Sequence, residues 1–149
     1  MLSTKLVQLI ESHWEEIASR LIQAIRKDPE LRTLAQYPDL ELREWCRVIL
    51  ADLGYLCSAS KEEEIKRRFQ VLGRVRFEEN VPLHEAVLRI HILKDKIIGF
   101  IHEHGLPMTA LHLYGEEEFE WRINRFFDAM IYQLVRGYED ARQVSARVA

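Results

Sequence analysis

The sequence predicts an all-α domain, and three observations carry that prediction. Apolar residues recur at three- and four-residue intervals along most of the chain, the period of helices that are buried on one side. Apolar and polar residues never alternate in the period-two pattern, bounded by turn dipeptides, that strands require. The chain also holds only six glycines and four prolines. These patterns favour about five main helices in one bundle.

The first three helices are predicted from their apolar periodicity and their end signals. The first covers residues 4–26, and the Asp-Pro pair at 28–29 ends it because the residue before a proline is displaced from helical backbone conformation. The second begins at Asp39, a residue type that caps helix N-termini. The third follows the sequence SKEE at 60–63, which is a capping-box pattern.

The second half of the chain predicts two long helices. Pro82 is expected at the first helical position of the fourth helix, which runs to about His104. A short helical turn is expected over residues 109–114, and the last long helix over residues 116–142. Because the connections are short and polar, the helices are expected to pack as antiparallel neighbours.

Composition and charge exclude several classes of protein. Residues are 48% hydrophobic and 30% charged, with a net charge of -3, so a nucleic-acid partner is not expected. The first twenty residues carry charges and lack a long apolar stretch, which argues against a signal peptide or a membrane anchor. Cys46 and Cys57 lie about 16 Å apart on one predicted helix, too far for a disulfide. These features predict a cytoplasmic protein with reduced thiols.

The last helix is more apolar than one core-facing side requires. Its apolar residues cover an arc of about 180°, whereas an apolar stripe of about 100° is usual. The first helix shows a similar surplus around Trp14. Either these helices lie deep in the bundle or part of each faces another subunit, and a homodimer is favoured because two-fold homodimers are the commonest oligomers. The candidate interface residues are Phe127, Ile131, Val135 and Trp14.

The sequence offers little that points to catalysis or to a metal. On the fourth predicted helix, His84, His91 and His102 share one side but lie roughly 10 Å and 16 Å apart, too far to bind one zinc ion. No nucleophile elbow, P-loop or dinucleotide fingerprint occurs. We therefore expect no catalytic residue, metal or cofactor. Arg74 and Arg76, at the end of the basic third helix, are candidate contacts for an anion or a partner protein.

The order of segments resembles that of a known family. The start of the chain, the sequence RVRFEENVPLHE at 74–85 and the long last helix are similar to the N-terminal sensor domain of RsbR-type stressosome co-antagonists. Asn80 stands where that family usually has glycine. The resemblance covers roughly residues 5–142. It implies a globin-like helical fold that binds no haem, usually dimeric, and used as the signal-input module of bacterial stress regulators.

The leading hypothesis is a single globin-like sensor domain over residues 1–149. It would be non-enzymatic, cytoplasmic and homodimeric, and it would act on other signalling proteins. The sequence ends seven residues after the predicted last helix, in QVSARVA, without an output domain, so it is expected to be either a stand-alone relative of the family or a fragment of a longer protein. The alternative is a globin-type sensor that binds haem or a small ligand, with His91 or His84 as the iron ligand.

Overall fold

The computed structural model describes residues 2–56, 62–104 and 110–148, and these residues form an all-α fold without strands. The number of helices is consistent with the expected globin-like bundle. They are α1 (Leu2–Ser12), α2 (Trp14–Lys27), a short 3-10 helix (Leu34–Gln36), α3 (Asp39–Leu56), α4 (Glu62–Glu78), α5 (Leu83–Glu103) and α6 (Ala110–Val148).

One hydrophobic core runs through the bundle. Helix α5 is central to it and contacts α1, α2, α4 and α6, which explains why its sequence is apolar on most sides. Its buried side chains include Ile90, Leu93, Ile97 and Phe100. Helix α2 packs between α3 and α5, and α6 forms its most extensive contact with α4. Within the described residues, no helix combines the length and the apolar character needed to cross a bilayer.

The prediction of one continuous first helix is wrong, because the helix is interrupted at His13. The His13 backbone leaves helical geometry (φ -115°, ψ 24°) between α1 and α2. The imidazole Nδ1 hydrogen-bonds the carbonyl oxygen of Leu9 at 2.9 Å, and the ring lies 5.4 Å from that of Phe100. Side chain and backbone thus compete for the same carbonyls at this point, which apolar periodicity does not reveal.

The predicted last helix is wrong in its bounds. Helix α6 begins at Ala110 and continues to Val148, so the separate turn predicted over 109–114 belongs to the same helix. Gly115 lies inside α6, where a glycine costs about 1 kcal/mol relative to alanine but does not break the helix. Helix α6 continues for six residues beyond the predicted end at 142.

The other helix ends are close to their predicted positions. Asp39 is the first residue of α3, whereas the sequence predicts it as the N-cap residue just before the helix. Pro82 is the N-cap of α5 and not its first helical residue, because its ψ of 140° is extended. The predicted capping box at 60–63 begins outside the described residues. Cys57 also lies outside them. Helix α4 is described from Glu62 onward.

Helices α4 and α6 approach one another closely at two glycines. A Cβ atom on Gly73 would overlap the carbonyl oxygen of Leu134, and one on Gly137 would overlap that of Gln70. The side-chain amide of Gln70 also donates a hydrogen bond of 2.8 Å to Gln133 across the same contact. The backbones of the two helices are therefore in direct contact, which only glycine permits at these positions.

The turn from α4 into α5 is a Schellman motif. Asn80 adopts the left-handed conformation with φ of 61°. The Val81 N–H donates to the carbonyl of Arg76, and the Asn80 N–H donates to the carbonyl of Phe77, both at 3.0 Å. The hydroxyl of Tyr138 on α6 donates to the Val81 carbonyl at 2.7 Å. This bonding fixes the direction in which α5 leaves α4.

The conformation of Asn80 gives a testable prediction. Asn80→Gly should leave stability unchanged or raise it by about 0.5 kcal/mol, because glycine adopts positive φ without steric cost. Asn80→Val should lower the free energy of unfolding by about 1–2 kcal/mol, because a β-branched residue is strained there. Urea denaturation of both variants checks the pair. Equal stabilities for glycine and valine at this position would contradict the assigned turn.

Candidate functional site

The structure buries an arginine that the sequence analysis did not select. Arg89, on α5, is only 2% exposed. Its guanidinium carbon lies 4.0 Å from the centre of the Trp45 ring on α3, a cation–π contact. The Nε atom of Arg89 is buried and has no hydrogen-bond partner. Such an arginine is unusual, because buried charges are normally paired.

A second arginine lies near the first. Arg76, in the last turn of α4, has a side chain that is 13% exposed, and its Nε is also buried without a partner. Burial, and then the nearby charge of Arg76, lower the pKa of Arg89 to about 9. Arg89 therefore still carries its positive charge at neutral pH. The two like charges repel one another in a water-poor environment.

Glu79 connects Arg76 to Tyr37. A carboxylate oxygen of Glu79 lies 3.3 Å from a terminal nitrogen of Arg76, and the other accepts a 3.0 Å hydrogen bond from the Tyr37 hydroxyl. Burial, and then the hydrogen bond to Glu79, raise the pKa of Tyr37. Arg26 donates to the Tyr37 carbonyl at 2.9 Å and so holds this residue in place between the 3-10 helix and α3.

Glu85 lies one turn before Arg89 but has a different role. Its carboxylate is 3% exposed and accepts hydrogen bonds of 2.9 Å from the backbone N–H groups of Thr33 and Leu34. It thereby ties the start of the 3-10 helix to α5. A carboxylate used in this way satisfies two backbone donors of the loop that carries Tyr37.

The cluster formed by Tyr37, Trp45, Arg76, Glu79 and Arg89 is called the arginine site below. Cys46 borders it on α3 and is fully buried. Burial raises the pKa of the Cys46 thiol to about 12, so the thiol is protonated and unreactive at neutral pH.

The two arginines predicted as contacts for an anion or a partner protein lie in different parts of the structure. Arg76 points into the arginine site, whereas Arg74 is exposed and lines a groove between α4 and α6. Sequence periodicity did contain a signal for Arg89. It lies three residues after Ala86 and four before Leu93, both buried, which places it on the core side of α5. Trp45 carried a similar signal, because it follows Leu42 by three residues on the apolar side of the second predicted helix, whereas Tyr37 lies outside the periodic segments.

The histidines that were alternative iron ligands lie on the surface. His84 and His91 are both exposed on α5, and neither lines the grooves between α3 and α4, α2 and α5, or α4 and α6. Within the described ranges, no group of three His, Cys, Asp or Glu side chains is arranged to hold a metal ion.

The candidate interface residues divide into three groups. Phe127 is fully buried inside one chain, so it is not available to a second subunit, and this part of the prediction is corrected. Trp14 is half-buried, and the guanidinium of Arg43 lies 5.6 Å from its ring centre. Ile131 and Val135 are half-buried on α6. The apolar surplus of α6 is thus largely used within the chain, by its packing on α4 and α5.

Two exposed aromatic residues on α6 were missed. Trp121 and Tyr132 are each 58% exposed. At 100° per residue they point within about 20° of one another, beside Val135. Both residues lie outside the continuous apolar sector of α6, so the width of that sector does not include them. Together with Asp128 and Val135 they form one strip, which is called the α6 strip below.

Comparison with known proteins identifies the family. The profile of the family described as RsbT co-antagonist protein RsbRD N-terminal domain matches residues 15–149, which includes every helix from α2 onward except the first residue of α2. No curated protein and no solved structure matches the chain significantly. The expected resemblance is therefore confirmed. The chain belongs to the RsbRD N-terminal domain family, the sensor domains of RsbR-type stressosome co-antagonists.

Proposed function

We propose that residues 1–149 form one non-enzymatic, cytoplasmic sensor domain of a bacterial stress response, which acts as a homodimer on other signalling proteins. The family match over residues 15–149 is the observation that carries this proposal. A family of stress-response regulatory domains supports a role in signal input. Of the finer parts, homodimerisation is supported by the surface of α6 and partner binding by the family description.

The α6 strip is the proposed contact with a second copy of the chain. Trp121, Asp128 and Val135 follow one another at intervals of seven residues, the spacing of residues that meet a parallel or antiparallel helix. Aromatic side chains of this kind are the usual energetic centres of protein interfaces. In a two-fold dimer, each α6 would bury the strip of the other, since both chains offer the same surface.

Charged residues in and beside the strip favour this arrangement. Arg125 lies over the Trp121 ring at 4.9 Å from its centre, and Asp128 is exposed one turn further along. When two copies of a helix pair antiparallel about a two-fold axis, a residue before the axis meets one after it on the partner. Arg125 of one copy can then face Asp128 of the other, whereas a strip with charges of a single sign would repel its copy.

Substitutions in the strip test the dimer. Trp121→Asp and Tyr132→Asp should each weaken dimerisation more than about tenfold, because loss of a central aromatic residue commonly costs over 1–2 kcal/mol. Sedimentation velocity across a concentration series measures this. Leu40→Asp is the matched control, since Leu40 is 78% exposed at the start of α3, away from the strip. The control should sediment as the wild type does.

Two results would contradict the dimer proposal. One is a wild-type chain that sediments as a monomer at every concentration. The other is a dimer that both aspartate variants leave unchanged. Circular dichroism of each variant should match the wild type, because both positions are exposed and truncating them leaves no cavity.

The partner proposal follows from the family description, which names a co-antagonist of RsbT. An RsbT-type protein is therefore the first partner to test, with the dimer as its binding unit. Size-exclusion chromatography of the mixed proteins should give a co-eluting complex. Separate elution of the two at concentrations of about 10–100 μM, the range of weak signalling complexes, would contradict this choice of partner.

A further inference from the structure

The arginine site has more positive than negative charge. Arg76 and Arg89 carry two positive charges, and Glu79 is the carboxylate that pairs with Arg76. Glu85, the other nearby carboxylate on α5, accepts from two backbone N–H groups. Arg89 therefore has no ion-pair partner among the described residues, although it is only 2% exposed. A buried charge of this kind is costly unless an anion completes it.

The unused donors point in the same direction. The Nε–H groups of both Arg76 and Arg89 are buried and unpartnered within the part of the chain that the structure describes. A guanidinium presents its N–H groups as a planar fork that fits the oxygens of a carboxylate or a phosphate. Two arginines that leave such donors free while lying near each other form the recognition half of an oxyanion site.

Glu79 occupies the outer side of this site. Its side chain is 40% exposed, and its carboxylate holds both Arg76 and the Tyr37 hydroxyl. The carboxylate of a partly exposed residue therefore occupies a position where an external carboxylate could bind. Rotation of Glu79 into solvent would release the Tyr37 hydroxyl and the Arg76 fork together.

We propose that the arginine site binds a small oxyanion, a carboxylate or a phosphate-type anion, which pairs with Arg76 and Arg89 and displaces the carboxylate of Glu79. The Tyr37 hydroxyl then donates to the bound anion. Tyr37 lies between the 3-10 helix and α3, and Arg76 lies in the last turn of α4. Binding would therefore be sensed where these three elements meet. This deepens the proposed sensor function, on which the anion's role as a signal rests.

The test uses succinate and inorganic phosphate as probes on the full chain. Nuclear magnetic resonance of the arginine Nε–H groups reports on the two side chains directly, with Arg76→Lys and Arg89→Lys to assign the signals. Isothermal titration calorimetry gives the affinity. Sodium chloride at matched ionic strength separates binding from a general salt effect. The succinate and phosphate arms distinguish a carboxylate from a phosphate ligand.

Three variants define the expected pattern. Arg76→Gln should weaken binding about tenfold or more, because a charge-assisted hydrogen bond is lost. Glu79→Gln should bind the anion more tightly than the wild type, because the internal competitor loses its charge. Arg74→Gln, which removes an exposed arginine two residues from Arg76, should bind as the wild type does. Thermal unfolding confirms that each variant is folded.

The proposal is overturned if neither anion shifts the Nε–H signals of Arg76 and Arg89 more than chloride does. It is also overturned if Arg76→Gln and Arg74→Gln bind equally well. Weaker binding by Glu79→Gln would overturn the displacement of Glu79. Sedimentation of the same samples measures the dimer separately, so a failure of the oxyanion site is distinguishable from a failure of the proposed function.

Discussion

Gly137→Ala is expected to destabilise the protein by about 3 kcal/mol, because the new methyl group would overlap the Gln70 carbonyl on α4 and force the two helices apart. Gly73→Ala should have a similar effect, through the Leu134 carbonyl. The added helix propensity of alanine offsets only about 1 kcal/mol of this loss. Since small proteins are stable by about 5–15 kcal/mol, the double variant, with a loss of about 6 kcal/mol, should unfold at a much lower urea concentration than the wild type.

Gly99→Ala is the matched control for this prediction. Gly99 lies in α5, and a Cβ there would meet no atom within 4 Å. This variant should gain about 0.5–1 kcal/mol from helix propensity alone. Urea denaturation followed by circular dichroism measures all three variants. Similar stabilities for the alanine variants at 99 and 137 would show that α4 and α6 do not meet at their backbones.

Glu85→Ala is expected to lower the free energy of unfolding by about 3 kcal/mol. The substitution removes the acceptor of the Thr33 and Leu34 N–H groups, and an orphaned buried donor costs about 1–3 kcal/mol. Glu85→Gln should lose less, because its amide oxygen can still accept. Asp95→Ala, at an exposed position of the same helix, should change stability by about 0.5 kcal/mol or less.

The same variants also report on the arginine site. The 3-10 helix leads directly into Tyr37, so release of Thr33 and Leu34 in Glu85→Ala should loosen Tyr37 and weaken its hydrogen bond to Glu79. Thermal unfolding gives the loss of stability. A Glu85→Ala variant as stable as Asp95→Ala would contradict the role of Glu85 in fixing this loop.

Most of the fold was accessible from sequence because it depends on periodic apolar burial. The extents of α3, α4 and α5 follow from that pattern and from the Asn80 turn. The break at His13 was not accessible, because it depends on an imidazole that bonds Leu9 and packs on Phe100, which is distant in sequence. The continuity of α6 across Gly115 does not follow from the sequence, because a glycine lowers helix propensity by about 1 kcal/mol without necessarily ending a helix.

The candidate site was accessible only in part. Arg76 is predictable as a candidate contact from the basic end of α4, whereas Arg89 is a single charge among the apolar residues of α5 and belongs to no recognisable motif. The surplus width of α6 correctly indicated more than one packing partner, yet α4 and α5 supply those partners within the chain. Phe127 is therefore internal, and the exposed Trp121 and Tyr132 define the surface on which a dimer depends.

Native mass spectrometry of the purified chain tests the central proposal, a haem-free homodimeric sensor, most directly. We expect a species of twice the chain mass with no added haem, and we expect Trp121→Asp to dissociate that species. A wild-type monomer at all concentrations, or a dimer that carries the mass of haem, would contradict it.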